Sequence, residues 1–173
     1  MDYETKPTSR KRLRYFAKLF RKIFRVGEWE PINVLQILEV VPIIFKNTSI
    51  SIVNDWELPA NVPARCTIAN GKFQIEIKET VYNGAYKKKI GAYCGFIMHE
   101  ICHVFLYKLG FTPVMNRSFD NDVLPAYCSV EWQAKALCGE IMMPYEVTGN
   151  MPIFTLMRKF NVSKGFAEMR QRY

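Results

Sequence analysis

Histidine is scarce in this 173-residue chain, which contains only His99 and His103. A metal site built from three histidines is therefore excluded. The chain also lacks a CxxC pair, and its five cysteines are an odd number, so neither a zinc knuckle nor a disulfide framework is indicated. We expect free thiols and a cytoplasmic protein. The five cysteines are Cys66, Cys94, Cys102, Cys128 and Cys138.

Acidic residues are absent from residues 10–25, which contain eight basic residues. Residues 26–173 contain 15 basic and 14 acidic residues, so the rest of the chain is nearly neutral. A nucleic-acid-binding surface that covers the whole protein is therefore not indicated. Leu13, Phe16 and Phe20 recur at helical spacing, which predicts a basic amphipathic helix over 10–26. The sequence leaves four possible binding partners for this helix: DNA, acidic lipid, another protein and the chain's own main domain.

Long apolar runs are interrupted by polar residues. Lys18, Arg21 and other basic residues break the N-terminal segment, which argues against a signal peptide. The run from Ile90 to Leu109 approaches membrane-spanning length, but two histidines and Glu100 lie at its centre. A bilayer penalises charge at that depth, so we expect a buried helix and no transmembrane segment.

The order of the remaining patterns predicts an α+β fold, with a small antiparallel sheet packed on a helical core. Asn70-Gly71 joins two strand-like runs and indicates a hairpin. We expect a basic N-terminal arm over 1–26, a main domain over 27–147 and a C-terminal helical extension over 148–173. Predicted helices cover 10–26, 32–41, 90–109, 153–160 and 164–172; Gly27 ends the first and Ser163 caps the last. One more helix is predicted to begin between 122 and 129 and to end at 143. Predicted strands cover 43–45, 49–53, 65–69 and 72–78.

The two histidines form the motif His99-Glu100-Ile101-Cys102-His103. By chance, two histidines would have this spacing with a Glu after the first only about once in a thousand sequences. Positions i and i+4 share one helix face, so both imidazoles can bind one Zn²⁺. Glu100 lies about 100° round the helix and can reach a water on the metal, as a general base does.

A third protein ligand must be a carboxylate or a thiol. Glu131 is favoured because Ala134, Cys138 and Met142 continue its helix face, which we expect to pack inward; the alternative is an acid placed by the helix dipole. Asp122 is its rival. The full set of candidates is Asp120, Asp122, Cys128, Glu131, Cys138, Glu140 and Glu146. Tyr93, Tyr127 and Tyr145 are candidates for stabilising the transition state.

Five segments carry a resemblance to a known family. The HExxH motif is followed 28 residues later by Glu131-x-x-Ala134, and then by Ile141-Met142-Met143-Pro144. Together with Ile77–Ala85 and Met157–Ser163, this pattern resembles the ImmA/IrrE metallopeptidases over residues 30–172. The chain departs from the family pattern at Lys135, Leu137, Cys138 and Gly139.

The resemblance implies a zincin-like zinc endopeptidase with His99, His103 and Glu131 as ligands and Glu100 as general base. Studied members are bacterial or phage-borne proteases that cut a helix-turn-helix repressor, so the expected substrate is such a repressor or an antitoxin. The tail would be a helix-turn-helix-like extension. Two alternatives stay open: a non-catalytic regulator that binds such a partner, and a DNA-binding regulator that uses the tail and the basic arm.

Overall fold

The computed structural model describes residues 2–114 and 124–172, which contain eight α-helices, three β-strands and two short 3₁₀ turns. The predicted α+β class is confirmed. The helices are α1 (Arg10–Ile23), α2 (Val34–Ile44), α3 (Glu79–Lys87), α4 (Gly91–Lys108), α5 (Val130–Met142), α6 (Tyr145–Thr148), α7 (Ile153–Phe160) and α8 (Lys164–Arg172). The strands are β1 (Thr48–Val53), β2 (Ala64–Ala69) and β3 (Lys72–Lys78), and the 3₁₀ turns cover Asp55–Glu57 and Ala126–Cys128.

The sheet is mixed, so the prediction of an antiparallel sheet is wrong for one of its two strand pairs. The strand order is β1-β3-β2. The β2–β3 hairpin is antiparallel as predicted, and Asn70 and Gly71 both adopt the positive φ that its turn requires. β1, however, runs parallel to β3, because residues 54–63 carry the chain past β3 to its far side. No local pattern signals a pairing made across such a connection.

Two segments near the sheet differ from prediction. Helix α2 continues through Pro42 to Ile44, so the predicted strand over 43–45 does not form. Pro42 lies in the last turn, where its missing N–H costs one hydrogen bond and where the chain leaves the helix soon afterwards. Residues 79–87, for which we predicted no helix, form α3 directly after β3.

Helix α4 forms the centre of the core and is close to the predicted range. One of its faces contacts β2 and β3, and another contacts α5. On β3 the predicted alternation is confirmed, with Phe73, Ile75 and Ile77 buried on the helix side. In the described part of the chain, no single helix is long and apolar enough to cross a membrane; only α3 and α4 would meet both requirements as a pair, and these are bent by 120°.

Helix α1 packs its apolar face, including Leu13, Phe16 and Phe20, into the same core and against α5. The helix ends at Ile23, earlier than predicted, because Arg25 and not Gly27 takes the left-handed backbone conformation that turns the chain. Arg21 is buried and donates to the carbonyl oxygens of Ile141, Gly27 and Glu30.

The two C-terminal helices have the predicted bounds. Ser163 Oγ accepts a hydrogen bond from Phe166 N at 3.3 Å, as the predicted N-cap requires. Asn161 takes a left-handed conformation at the end of α7 and turns the chain toward α8. Helix α8 returns to the core through Ala167 and Arg170, both buried. The description of residues 148–173 as a helix-turn-helix-like extension stays a prediction, as does the division of the chain into three regions.

Candidate metal centre

Helix α4 places both imidazoles one above the other. His99 and His103 are one turn apart, with ring centroids 4.6 Å apart and ring planes at 85°. Their Nε2 atoms are 3.0 Å apart. Both rings are largely buried, with 17% and 12% of the side chains exposed, because the flanking residues on α4 form the protein core. Because their Nε2 atoms are only 3.0 Å apart, both nitrogens face the same position.

Glu131 joins them from the first turn of α5. Ser129 caps this helix by accepting a hydrogen bond from Trp132 N at 2.8 Å. Glu131 Oε2 is 3.2 Å from His99 Nε2, and Oε1 is 3.4 Å from His103 Nε2. The side chain is 42% exposed, so the cluster opens to solvent on this side.

The nitrogen and oxygen atoms of these three side chains are spaced closely enough to surround one zinc ion. Zinc lies roughly 2.0–2.1 Å from His and carboxylate donors, and two corners of a tetrahedron of that radius are about 3.3–3.4 Å apart. The two Nε2 atoms are 3.0 Å apart, and each imidazole has its own Glu131 oxygen near this value, Oε2 at 3.2 Å from His99 and Oε1 at 3.4 Å from His103. Among the described residues, these three also form the one group of His, Cys, Asp and Glu side chains close enough to hold a metal. A fourth corner would face solvent beside Glu131, as a catalytic site needs.

Electrostatics favour the protonation states that bind a metal. Burial lowers the pKa of His103 to about 4, and the neighbouring His99 acts in the same direction. The hydrogen bond with His99 holds the pKa of Glu131 at about 2. At neutral pH, His103 is therefore neutral and Glu131 is ionised, and these are the forms that donate an electron pair to zinc.

Glu100 lies beside the cluster in a different environment. Burial raises the pKa of its carboxyl to about 7, against the opposing effects of His99 and of the Cys66 backbone amide on β2. A carboxyl with a pKa near neutrality can both accept and return a proton at physiological pH. Its contact with Cys66 also shows that edge strand β2 lies next to the candidate site.

The other candidate ligands have different partners. Glu140 is fully buried and pairs with arginines, and Glu146 pairs with Lys18 at 2.7 Å. The Cys138 thiol contacts the Gly95 carbonyl oxygen, and Cys128 lies outside the cluster. Asp120 and Asp122 lie outside the described residues.

The three tyrosines occupy different places. Tyr93 packs on the core near Gly84, and Tyr127 lies 54% exposed in the turn before α5. Tyr145 stacks under the Arg14 guanidinium at 3.6 Å, on the side of α5 that faces α1. Within the described hydrogen bonds, none of their hydroxyls meets His99, His103 or Glu131, so their proposed role stays a prediction.

Asp2 is a neighbour of the site that the sequence did not indicate. Its Oδ1 accepts a hydrogen bond from Glu131 N at 3.1 Å, its Oδ2 contacts Ser129 Oγ, and its charge acts on His103. Residues 3–5 extend this contact by pairing with the segment before α5 and with Val114. Asp2 is 129 residues from Glu131 along the chain, so no local pattern could have linked them.

Comparison with known proteins adds no assignment. No family model matches this chain, and a search of curated proteins also finds no match. The resemblance to the ImmA/IrrE metallopeptidases therefore stays a prediction from the sequence motifs.

Proposed function

We propose that this chain is a zinc-dependent endopeptidase. One observation carries the proposal: the Nε2 atoms of His99 and His103 on α4 lie 3.0 Å apart, and each is 3.2–3.4 Å from an oxygen of Glu131 on α5. Glu100, whose pKa is raised by burial, lies beside them on α4. His99, His103 and Glu131 would hold the zinc ion. Three protein donors and an open fourth position are typical of catalytic zinc sites, whereas structural sites have four protein donors.

Bound zinc would polarise the scissile carbonyl and lower the pKa of a water molecule. Glu100 would accept the proton of the attacking water and return it to the leaving amine, so that no free acid or base is needed. The raised pKa of Glu100, about 7, suits both directions of this transfer. Asp2 would keep Glu131 in place through its hydrogen bond to the Glu131 amide.

The proposed substrate is a helix-turn-helix repressor or an antitoxin. This part of the proposal rests on the resemblance of the motif pattern to the ImmA/IrrE metallopeptidases. A repressor or antitoxin encoded next to this protein is the first substrate to test.

The test compares wild-type protein with Glu100→Gln, each loaded with one equivalent of zinc. We expect equal zinc content, because Glu100 is not a ligand, and at least a hundredfold slower cleavage in the variant, because the proton acceptor is lost. Glu39→Gln, a substitution at an exposed glutamate of α2, is the matched control and should cleave at the wild-type rate. Fragments of the neighbouring repressor and of a peptide library are quantified by mass spectrometry.

Two results would contradict the proposal. Equal cleavage by Glu100→Gln and wild type would remove Glu100 from the mechanism. Tight binding of the repressor without any fragments, from either substrate pool, would instead favour the non-catalytic regulator.

A further inference from the structure

An apolar cavity of about 320 Å³ lies directly beside the candidate metal centre. Helices α4, α5 and α8 form its walls. Its large apolar side chains are Phe96, Phe166 and Met169, and His99 belongs both to its lining and to the metal cluster. A cavity of this size is near the lower limit for ligand pockets and holds one large side chain.

The cavity follows the helix faces that carry the proposed ligands. On α4, Gly91 and Gly95 precede His99 at intervals of four residues, so they lie on the same stripe. On α5, Lys135 and Cys138 follow Glu131 on its stripe in the same way. A group held between His99 and Glu131 would therefore lie next to this cavity.

Missing side chains create the space. A Cβ atom built on Gly95 or on Gly165 would meet no atom within 4 Å, so both glycines border open volume. Gly91 is different: a Cβ there would lie 2.6 Å from the Asn161 carbonyl oxygen, so this glycine lets α4 pack against the turn between α7 and α8. That close packing holds α8 as the third wall.

We propose that this cavity binds a large apolar side chain of the substrate, next to the scissile bond, and so selects peptides with residues such as Leu, Met or Phe at that position. The inference rests on the proposed function, since His99 is shared by the cavity and the metal centre. An apolar side chain leaves water on entering the cavity, and its carbon surface meets that of Phe96, Phe166 and Met169. Binding energy of this kind selects one substrate residue over another.

The test uses small hydroxamates, which bind zinc without being cleaved. Affinities of the zinc-loaded protein are measured by calorimetry for acetohydroxamate and for 3-phenylpropanohydroxamate, which is the same group with an added benzyl. Burying the benzyl group should strengthen binding at least tenfold. Gly95→Leu fills the cavity, so this gain should fall below about threefold while the affinity for acetohydroxamate stays within twofold.

Gly149→Leu is the matched control, because Gly149 is exposed, has helical φ and ψ, and lies outside the cavity. It should retain the full gain. If Gly95→Leu fails to fold, Gly165→Leu fills the same space from α8. If the added benzyl group strengthens binding less than threefold in the wild type, or just as much in the filled variant, the proposed side-chain pocket is wrong, while the proposed zinc centre is unaffected. No affinity for acetohydroxamate would overturn the zinc centre as well.

Discussion

Replacing Glu140 by Gln should destabilise the protein strongly. The Glu140 side chain is fully buried on α5 and is approached by three guanidinium groups. Arg170 forms two hydrogen bonds with it, at 3.2 and 3.3 Å, while Arg10 and Arg14 each contact Oε1 at 3.3 Å. A glutamine keeps the shape but removes the negative charge among these three cations.

The size of the effect follows from how far each arginine can regain water. The Arg170 side chain is 2% exposed, whereas those of Arg10 and Arg14 are 24% and 26% exposed. Arg170 therefore keeps an uncompensated charge in the interior, and such a loss costs about 3–5 kcal/mol of unfolding free energy. Glu146→Gln is the control: its pair with Lys18 is shorter, at 2.7 Å, but both side chains are almost half exposed, so we expect under about 1 kcal/mol.

Urea unfolding at pH 7 in EDTA measures both variants. A double variant, Glu140→Leu with Arg170→Met, removes both buried charges and should recover most of the loss, because a buried ion pair adds little over apolar residues of similar volume. A cost below 1 kcal/mol for Glu140→Gln, at an unchanged m-value, would refute the reasoning. So would a double variant as unstable as the single one.

Three further predictions concern the site itself. Glu131→Ala should weaken zinc binding at least a hundredfold, as measured by competition with a chelator. An unchanged affinity would show that another residue is the third ligand. Burial raises the pKa of Glu100 to about 7, so between pH 4.5 and 7 the folded protein binds a proton that the unfolded chain does not. This carboxyl therefore lowers the free energy of unfolding as pH rises. In EDTA, the free energy of unfolding of Glu100→Gln relative to the wild type should increase by roughly 2–3 kcal/mol from pH 4.5 to pH 7.5. A constant difference across that range would contradict the burial of this charge. Burial raises the pKa of the Cys66 thiol to about 12, so iodoacetamide at pH 8 should label Cys66 far more slowly in the native protein than in urea; equal rates would show that the thiol is accessible.

Much of the site was predictable because short-range rules fix it. The spacing of His99 and His103 along one helix decides that both rings share a face. Ser129 ends the preceding turn and starts α5, which places Glu131 in the first turn of that helix. The last two helices and the β2–β3 hairpin follow in the same way from caps, periodicity and Asn70-Gly71.

The features that were missed depend on contacts between distant segments. The parallel pairing of β1 with β3 is decided by the route of residues 54–63, and Asp2 reaches Glu131 from the other end of the chain. Glu140 could be a ligand by sequence alone, because a carboxylate near the end of α5 has the right chemistry. Its actual partners come from α1 and α8, and no pattern within α5 indicates them.

Helix α5 connects these two groups of charges. Glu131 and Glu140 are nine residues apart, which is about 900° of rotation and so places them on opposite faces of the helix. One face carries the carboxylate that meets the histidines of α4, and the other is fixed by arginines of α1 and α8. Part of the positive charge of residues 10–25 is therefore used inside the fold, since Arg10, Arg14 and Arg21 all contact α5. The arginines around Glu140 would then hold the face of α5 that is opposite the metal centre. Glu140→Gln should therefore lower the folded fraction without changing the amount of zinc bound per folded chain.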